Sequence, residues 1–96
     1  MNEKITCIGA GNMGHAIVMG ILENGCPADR LTVTSRSKDK FADYGALAIT
    51  TTQDNAIAVA TADVIILAVK PYQIAEVCEQ IASALKPDVL IISVAA

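Results

Sequence analysis

The string Gly9-Ala10-Gly11-Asn12-Met13-Gly14 follows the aliphatic run "KITCIG" (4–9) and precedes a segment that reads as a helix from Asn12. G-x-G-x-x-G is weak evidence alone. Placed between a strand that leads in and a helix that leads out, it constrains the fold strongly. Gly9 allows the tight turn, Gly11 lets the backbone approach a pyrophosphate, and Gly14 lets the helix pack closely on the strand. The helix N-terminus, with its unpaired N–H groups and positive dipole end, then faces phosphate. A glycine turn without a ligand is the competing reading, and the flanking elements disfavour it.

The rest of the chain repeats the same alternation of aliphatic run and amphipathic segment. The first helix spans residues 12–24, with Ala16, Ile17, Met19, Gly20, Ile21 and Leu22 as its buried face, and Gly25 and Pro27 stop it. "RLTVT" (30–34) is the second strand. "KDKFADY" (38–44) is a short helix ended by Gly45, and "ALAI" (46–49) is a weak third strand. "TTQDNAIAVATA" (51–62) reads as a helix with Thr52 as N-cap. "DVIILAV" (63–69) is the strongest strand, apolar at both parities and therefore covered on both faces. Pro71 opens a helix that runs to about Leu85, "KPD" (86–88) breaks it, and "VLIISV" (89–94) is the fifth strand. The expectation is an α/β fold: one Rossmann-type, doubly wound parallel sheet over residues 1–96, strand order 3-2-1-4-5.

The chain has 96 residues, of which 53% are hydrophobic, enough for a core without staples. A net charge of −3 argues against a general nucleic-acid or anionic-membrane partner. No apolar run has the length of a membrane span, and "MNEKITC" is no secretory signal. Cys7, Cys26 and Cys78 share no metal-like spacing, so no metal is expected. A reduced, cytoplasmic protein is the economical reading. The last strand runs out at "IISVAA" with no closing helix, and the chain is expected to be a piece of a longer, two-domain protein.

An Asp or Glu commonly ends the second strand of such sheets and holds the ribose 2′-OH of NAD. Here the place reads Thr34, Ser35, Arg36, Ser37, Lys38. Hydroxyls and cations suit a 2′-phosphate, so NADP(H) is the expected cofactor, with NAD(H) bound more weakly. Arg36 is placed to grip that phosphate through two parallel bonds or to stack on adenine. Lys38 reads equally well as a solvated loop charge. Ligands of an open sheet lie outside the C-terminal strand ends, which brings "AVKP" (68–71) and Ser93 to Ala96 to the same crevice. Lys70 either meets ribose or phosphate or is simply exposed, and Asn55 either touches the nucleotide or caps its helix. Met13 is expected at the crevice wall, His15 is expected to face outward, Asp63 reads as a turn residue, and Tyr44 and Tyr72 lack any partner residue that would make them acids. No Ser-His-Asp set and no paired carboxylates appear, so the sequence assigns no catalytic residue.

"IGAGNMGHAI" (8–17), "DNAIAV" (54–59), "ADVIILAVKP" (62–71) and "IISVAA" (91–96) together resemble pyrroline-5-carboxylate reductase over the whole chain. The resemblance implies reduction of 1-pyrroline-5-carboxylate to L-proline by NAD(P)H, the last step of proline biosynthesis. It implies an N-terminal cofactor domain and a C-terminal helical domain that dimerises and completes the substrate site. Carried over, the cofactor contacts fall on Ile8, Gly9, Ala10, Gly11, Asn12 and Met13, on the Ser35–Arg36 region, on Asn55, on Ala68, Val69, Lys70 and Pro71, and on Val94, Ala95 and Ala96. The helical domain is absent from these 96 residues, so the chain alone is expected to bind nucleotide without turnover. Deazaflavin-dependent NADP reductases and hydroxyacid dehydrogenases resemble it at the glycine loop and should match less well at AVKP and SVAA. A non-catalytic nucleotide-binding module is the alternative of a different class.

Overall fold

A computed structural model describes residues 2–94, so the calls on Ala95 and Ala96 lie outside the described residues. Strands β1 (Ile5–Ile8), β2 (Leu31–Thr34), β3 (Thr50–Thr52), β4 (Val64–Leu67) and β5 (Leu90–Ser93) form one sheet in the order β3-β2-β1-β4-β5. Every pairing is parallel. Helices α1 (Asn12–Glu23), α2 (Phe41–Ala46), α3 (Asn55–Val59) and α4 (Ile74–Ile81) make the crossovers, with short 3-10 turns at Ala28–Arg30 and Pro71–Gln73.

Two apolar layers cover the central strands, because parallel strands need cover on both faces, while the edge strand β5 is exposed. Cys7, Leu31, Val33 and Ile66 pack with Val18 of α1 and Tyr44 of α2. Ile8, Ile65 and Leu67 pack with Val59 of α3 and with Val77 and Ile81 of α4. Alternate residues of β4 thus enter opposite layers, as its doubly apolar pattern requires. Each fully buried aliphatic side chain contributes roughly 1.5–3 kcal/mol. The buried Thr6 hydroxyl is not wasted: it donates to the Ala58 carbonyl at 2.9 Å and ties β1 to α3. Asp63 closes the opposite end of the sheet. Its carboxylate pairs with Lys86 and accepts from the Lys4 backbone N–H, and these bonds, the Lys86 contact first, hold its pKa below the ordinary value.

Three local expectations are corrected. In α1 the fully buried positions are Gly14 and Val18; Ile17, Met19, Ile21 and Leu22 pack partly buried against the same core, whereas Ala16 is exposed. The third strand is Thr50–Thr52 rather than 46–49, since β-branched threonines suit a pleated edge and the alanines prefer to extend a helix. The following helix accordingly starts later, and its N-cap is Asp54, whose carboxylate accepts from the Ile57 N–H at 3.0 Å. Thr52 stays outside the helix, with its hydroxyl accepting from the Asp54 N–H.

The ends of α1 and α2 explain the second correction. Both close with the same pair of bonds: Cys26 N–H to the Ile21 carbonyl with Gly25 N–H to Leu22, and Ile49 N–H to Tyr44 with Ala48 N–H to Gly45. This motif needs a left-handed residue at its penultimate position. In α1 that residue is Gly25 (φ 100), and in α2 it is Ala48 (φ 64). Gly45 lies inside α2 and does not end it. An alanine held left-handed costs roughly 1–2 kcal/mol, partly offset by the flexibility a glycine adds to the unfolded chain. Ala48→Gly should therefore stabilise the chain by up to about 1 kcal/mol, read as a higher urea midpoint with an unchanged slope. A lower midpoint would contradict the assignment of Ala48 as the helix terminator.

Candidate functional site: the groove at the C-terminal strand ends

The sheet's hydrogen-bond ladder runs past the strands into the loops at one edge. Gly9 N–H bonds the Thr34 carbonyl at 3.0 Å, Ala68 N–H the Ile8 carbonyl at 2.9 Å, and Val94 N–H the Leu67 carbonyl at 2.9 Å. The four segments that leave β2, β1, β4 and β5 are thereby held side by side. Between them lies a groove of about 730 Å³, within the usual range of ligand sites.

The glycine loop is its floor. Gly9 has φ 107, and a Cβ there would stand 2.6 Å from the Ala68 carbonyl oxygen, so the loop after β1 and the loop after β4 touch through backbone alone. A Cβ on Gly14 would stand 2.1 Å from the Gly9 carbonyl oxygen. That clearance lets α1 begin at once after the turn. Gly11 is different, since a Cβ there would meet nothing within 4 Å and would project into open space. Its missing side chain leaves a cradle rather than a packing contact. Gly11 is also the N-cap of α1, which has no side-chain cap and no acid in its first turn. The first N–H groups of a twelve-residue helix therefore reach the groove without a protein acceptor, which is the donor set a pyrophosphate takes. Beneath the loop, burial pushes the Cys7 thiol up to about 11, so it stays a neutral packing group; its sulfur donates weakly to the Gly9 carbonyl at 3.6 Å.

The walls come from three other segments. Arg36, after β2, bonds the Glu76 carboxylate of α4 across the groove at 2.9 Å, and its backbone carbonyl accepts from the Gln53 amide at 2.7 Å. Asn55, the first residue of α3, donates to the Gln80 side chain at 2.7 Å. Local capping of α3 is done by Asp54, which leaves Asn55 free of that duty. After β4, the turn at Lys70 is closed reciprocally: Gln73 N–H bonds the Lys70 carbonyl at 2.9 Å and Lys70 N–H bonds the Gln73 side-chain oxygen at 3.0 Å. Pro71, at the first position of its 3-10 turn, adds stiffness.

The structure brings most of the sequence-derived residues into one place. Ile8, Gly9, Ala10, Gly11, Asn12 and Met13 line the floor; Ser35, Arg36, Asn55, Ala68, Val69, Lys70 and Val94 line the walls. Four lie elsewhere. Gly14 is packed beneath the loop, and Pro71 supports its turn from behind. Ser37 and Lys38 do not line the groove; the Ser37 hydroxyl accepts from the Asp39 N–H at 3.2 Å and the Lys38 backbone carbonyl from the Phe41 N–H at 3.1 Å. Thr34, Gln53, Gln73, Glu76, Val77 and Gln80 also line the groove and escaped the sequence reading. Gln73, Glu76, Val77 and Gln80 recur at helical spacing on one face of a helix, a signal open to that use only once the face is known to look into the groove.

Outside the groove, the Tyr44 hydroxyl lies 2.9 Å from His15 Nδ1, tying α2 to the start of α1. Burial first, and then the neighbouring Cys7 and Asp43 side chains, which would repel a phenolate, push the Tyr44 phenol up, so it remains protonated. His15 itself faces outward. Among the described residues no cluster of His, Cys, Asp or Glu is placed to hold a metal, and no helix is long and apolar enough to cross a membrane.

Residues 4–96 match the family described as NADP oxidoreductase, coenzyme F420-dependent, and the chain belongs to that family. A pyrroline-5-carboxylate reductase of Haemophilus influenzae is 39% identical over 95 residues, covering 99% of this chain and 35% of that protein. The structure of a pyrroline-5-carboxylate reductase from Coxiella burnetii superposes with a TM-score of 0.93 at 43% identity, over 100% of this chain and 36% of that one. Plasmodium falciparum pyrroline carboxylate reductase with NADP bound superposes at 0.83 and 26% identity, over 98% of this chain and 34% of that one. The chain thus spans about a third of the length of the relatives it matches.

The three loop glycines differ in what they exclude, and stability should report it. Gly14→Ala forces a methyl group against a backbone oxygen and should cost about 1–3 kcal/mol. Gly11→Ala adds a methyl to open space and should cost under about 1 kcal/mol, the loss of a favourable N-cap. Urea unfolding followed by circular dichroism compares them; equal losses would contradict the division of roles.

Proposed function

We propose that this chain, as a member of that family, is the cofactor-binding domain of an NADPH-dependent reductase that converts 1-pyrroline-5-carboxylate into L-proline. The observation that carries the reading is likeness to pyrroline-5-carboxylate reductases along the entire chain, at 39% identity in sequence and a TM-score of 0.93 in structure. The glycine loop alone is common to many dehydrogenases and carries less.

The groove's chemistry fits NADP(H), with NAD(H) held more weakly. Gly11 and the uncapped start of α1 accept a pyrophosphate. Arg36, at the end of β2 where a carboxylate would select an unphosphorylated ribose, accepts a 2′-phosphate. Ala68 and Val94 are small enough to admit a flat ring between the ends of β4 and β5. When bound, NADPH supplies the hydride that reduces the C=N carbon, and the imine nitrogen takes a proton. The residues of this chain bind and orient the cofactor, and none of them is assigned as the proton donor. On this reading the rest of the parent protein supplies the substrate site and the contacts of a homo-oligomer. On this reading the chain alone binds nucleotide and does not form proline, and it works in the cytoplasm with reduced thiols, as the three free cysteines allow.

The family's description favours one second reading, in which the same floor holds NADP while hydride is exchanged with a reduced deazaflavin. Supplying the intact parent protein with NADPH and pyrroline-5-carboxylate, and in parallel with NADP+ and the reduced deazaflavin, separates the two. Proline formation is expected in the first assay and no exchange in the second; the reverse would overturn the proposal.

For the cofactor, the chain should bind NADPH more tightly than NADH. Arg36→Ala should weaken NADPH about tenfold or more, since a charge-assisted hydrogen bond contributes roughly 1.5–3 kcal/mol, and leave NADH nearly unchanged. Titration calorimetry checks both. Equal wild-type affinities, or NADPH binding indifferent to Arg36, would contradict the assignment.

A further inference from the structure

Arg36 is already engaged. Its Nη2 donates to Glu76 Oε2 at 2.9 Å, from the loop after β2 to the first turn of α4, across the mouth of the groove. Glu76 is held in turn, because Gln80 Nε2 reaches its other oxygen at 3.5 Å and Asn55 Nδ2 donates to Gln80 at 2.7 Å. On the other side, Gln53 fixes the Arg36 backbone by donating to its carbonyl. A continuous strap therefore runs from Gln53 through Arg36, Glu76 and Gln80 to Asn55, along the rim where the ribose of a bound dinucleotide must lie.

We propose that Glu76 is a specificity-determining residue, supplying from α4 the carboxylate that the end of β2 lacks and so narrowing the preference for a 2′-phosphorylated dinucleotide. The inference rests on the cofactor reading above. A guanidinium bonded to a carboxylate has fewer N–H groups to offer a phosphate, and the carboxylate repels the phosphate directly. An unphosphorylated ribose meets neither obstacle, and its 2′-OH is able to donate to Glu76. The Arg36 and Glu76 side chains are 69% and 58% exposed, so the pair is solvent-screened and opens easily. Exposed pairs of this kind are weak and fade with salt, which sets the size of the effect at about two- to fivefold in affinity. A bidentate ligand phosphate wins that competition, and Glu76 lowers the margin.

The test is calorimetric binding of NADP+ and NAD+ to the chain in wild type, Glu76→Gln, Arg36→Ala and the double variant, at low salt. Both side chains are exposed, so the variants should fold, and a melting curve checks each. Glu76→Gln is expected to tighten NADP+ about two- to fivefold while leaving NAD+ unchanged or weaker. The gain should disappear at about 0.5 M salt and in the Arg36→Ala background. If Glu76→Gln leaves NADP+ binding unchanged or weaker while Arg36→Ala still abolishes the preference for NADP+, the role of Glu76 is overturned and the cofactor reading stands. If Arg36→Ala leaves that preference intact, both fall together.

Discussion

A methyl group on residue 14 would sit 2.1 Å from the Gly9 carbonyl oxygen, and much of the site depends on that space being empty. With hydrogen in its place, α1 starts directly against the turn that ends β1. The helix axis then points its free N–H groups at the centre of the sheet's C-terminal edge. Gly9 makes the parallel contact with the loop after β4, where a side chain would run into the Ala68 carbonyl. Two backbone-to-backbone approaches thus set the floor of the groove before any side chain contributes. Oxygen, nitrogen and dipole are placed by the main chain, which is why the site tolerates a floor of Ala10, Asn12 and Met13 with no ionisable group among them.

Strand order does the rest. β1 lies between β2 and β4, and the crossovers leave it in opposite directions, with α1 and α2 on one face and α3 and α4 on the other. The loops after β1 and β4, in contact at Gly9 and Ala68, diverge beyond that point and border a crevice. Paired ladder bonds at Thr34, Ile8 and Leu67 keep the strand ends level, so residues distant in sequence (Arg36, Asn55, Lys70, Val94) border one space. The polar groups of the rim then satisfy one another through amides and one exposed ion pair, an arrangement that holds the walls together.

The sheet and the floor of the groove were legible in the sequence because they rest on patterns of short range. Aliphatic runs alternating with amphipathic segments, one of them (63–69) apolar at both parities, point to a parallel sheet, and a glycine triplet between a strand and a helix has few uses. The stretch from Tyr44 to Asp54 was misread because its signals conflict locally. Gly45 looks like a helix stop, yet Ala48 takes the left-handed position, and three threonines that would serve as a helix entry instead pair with β2. The rim was hidden for another reason. Glu76 and Gln80 are ordinary solvent-facing helix residues by pattern, and their meeting with Arg36 and Asn55 across 40 and 25 positions exists only in three dimensions. The His15–Tyr44 hydrogen bond, spanning 29 positions, was out of reach for the same reason.

The central claim is that the backbone of the glycine loop and the start of α1 receive a pyrophosphate in this groove. Titrating the 15N-labelled chain with NADP+ and following amide shifts tests it residue by residue. The largest changes should fall on the N–H groups of Gly11, Asn12 and Met13, with smaller ones at Arg36, Ala68 and Val94 and almost none in the distal ends of α1 and α4. Saturable binding that leaves the amides of Gly11 to Met13 unmoved, or moves residues around Asp63 and Lys86 at the far edge of the sheet instead, would contradict it.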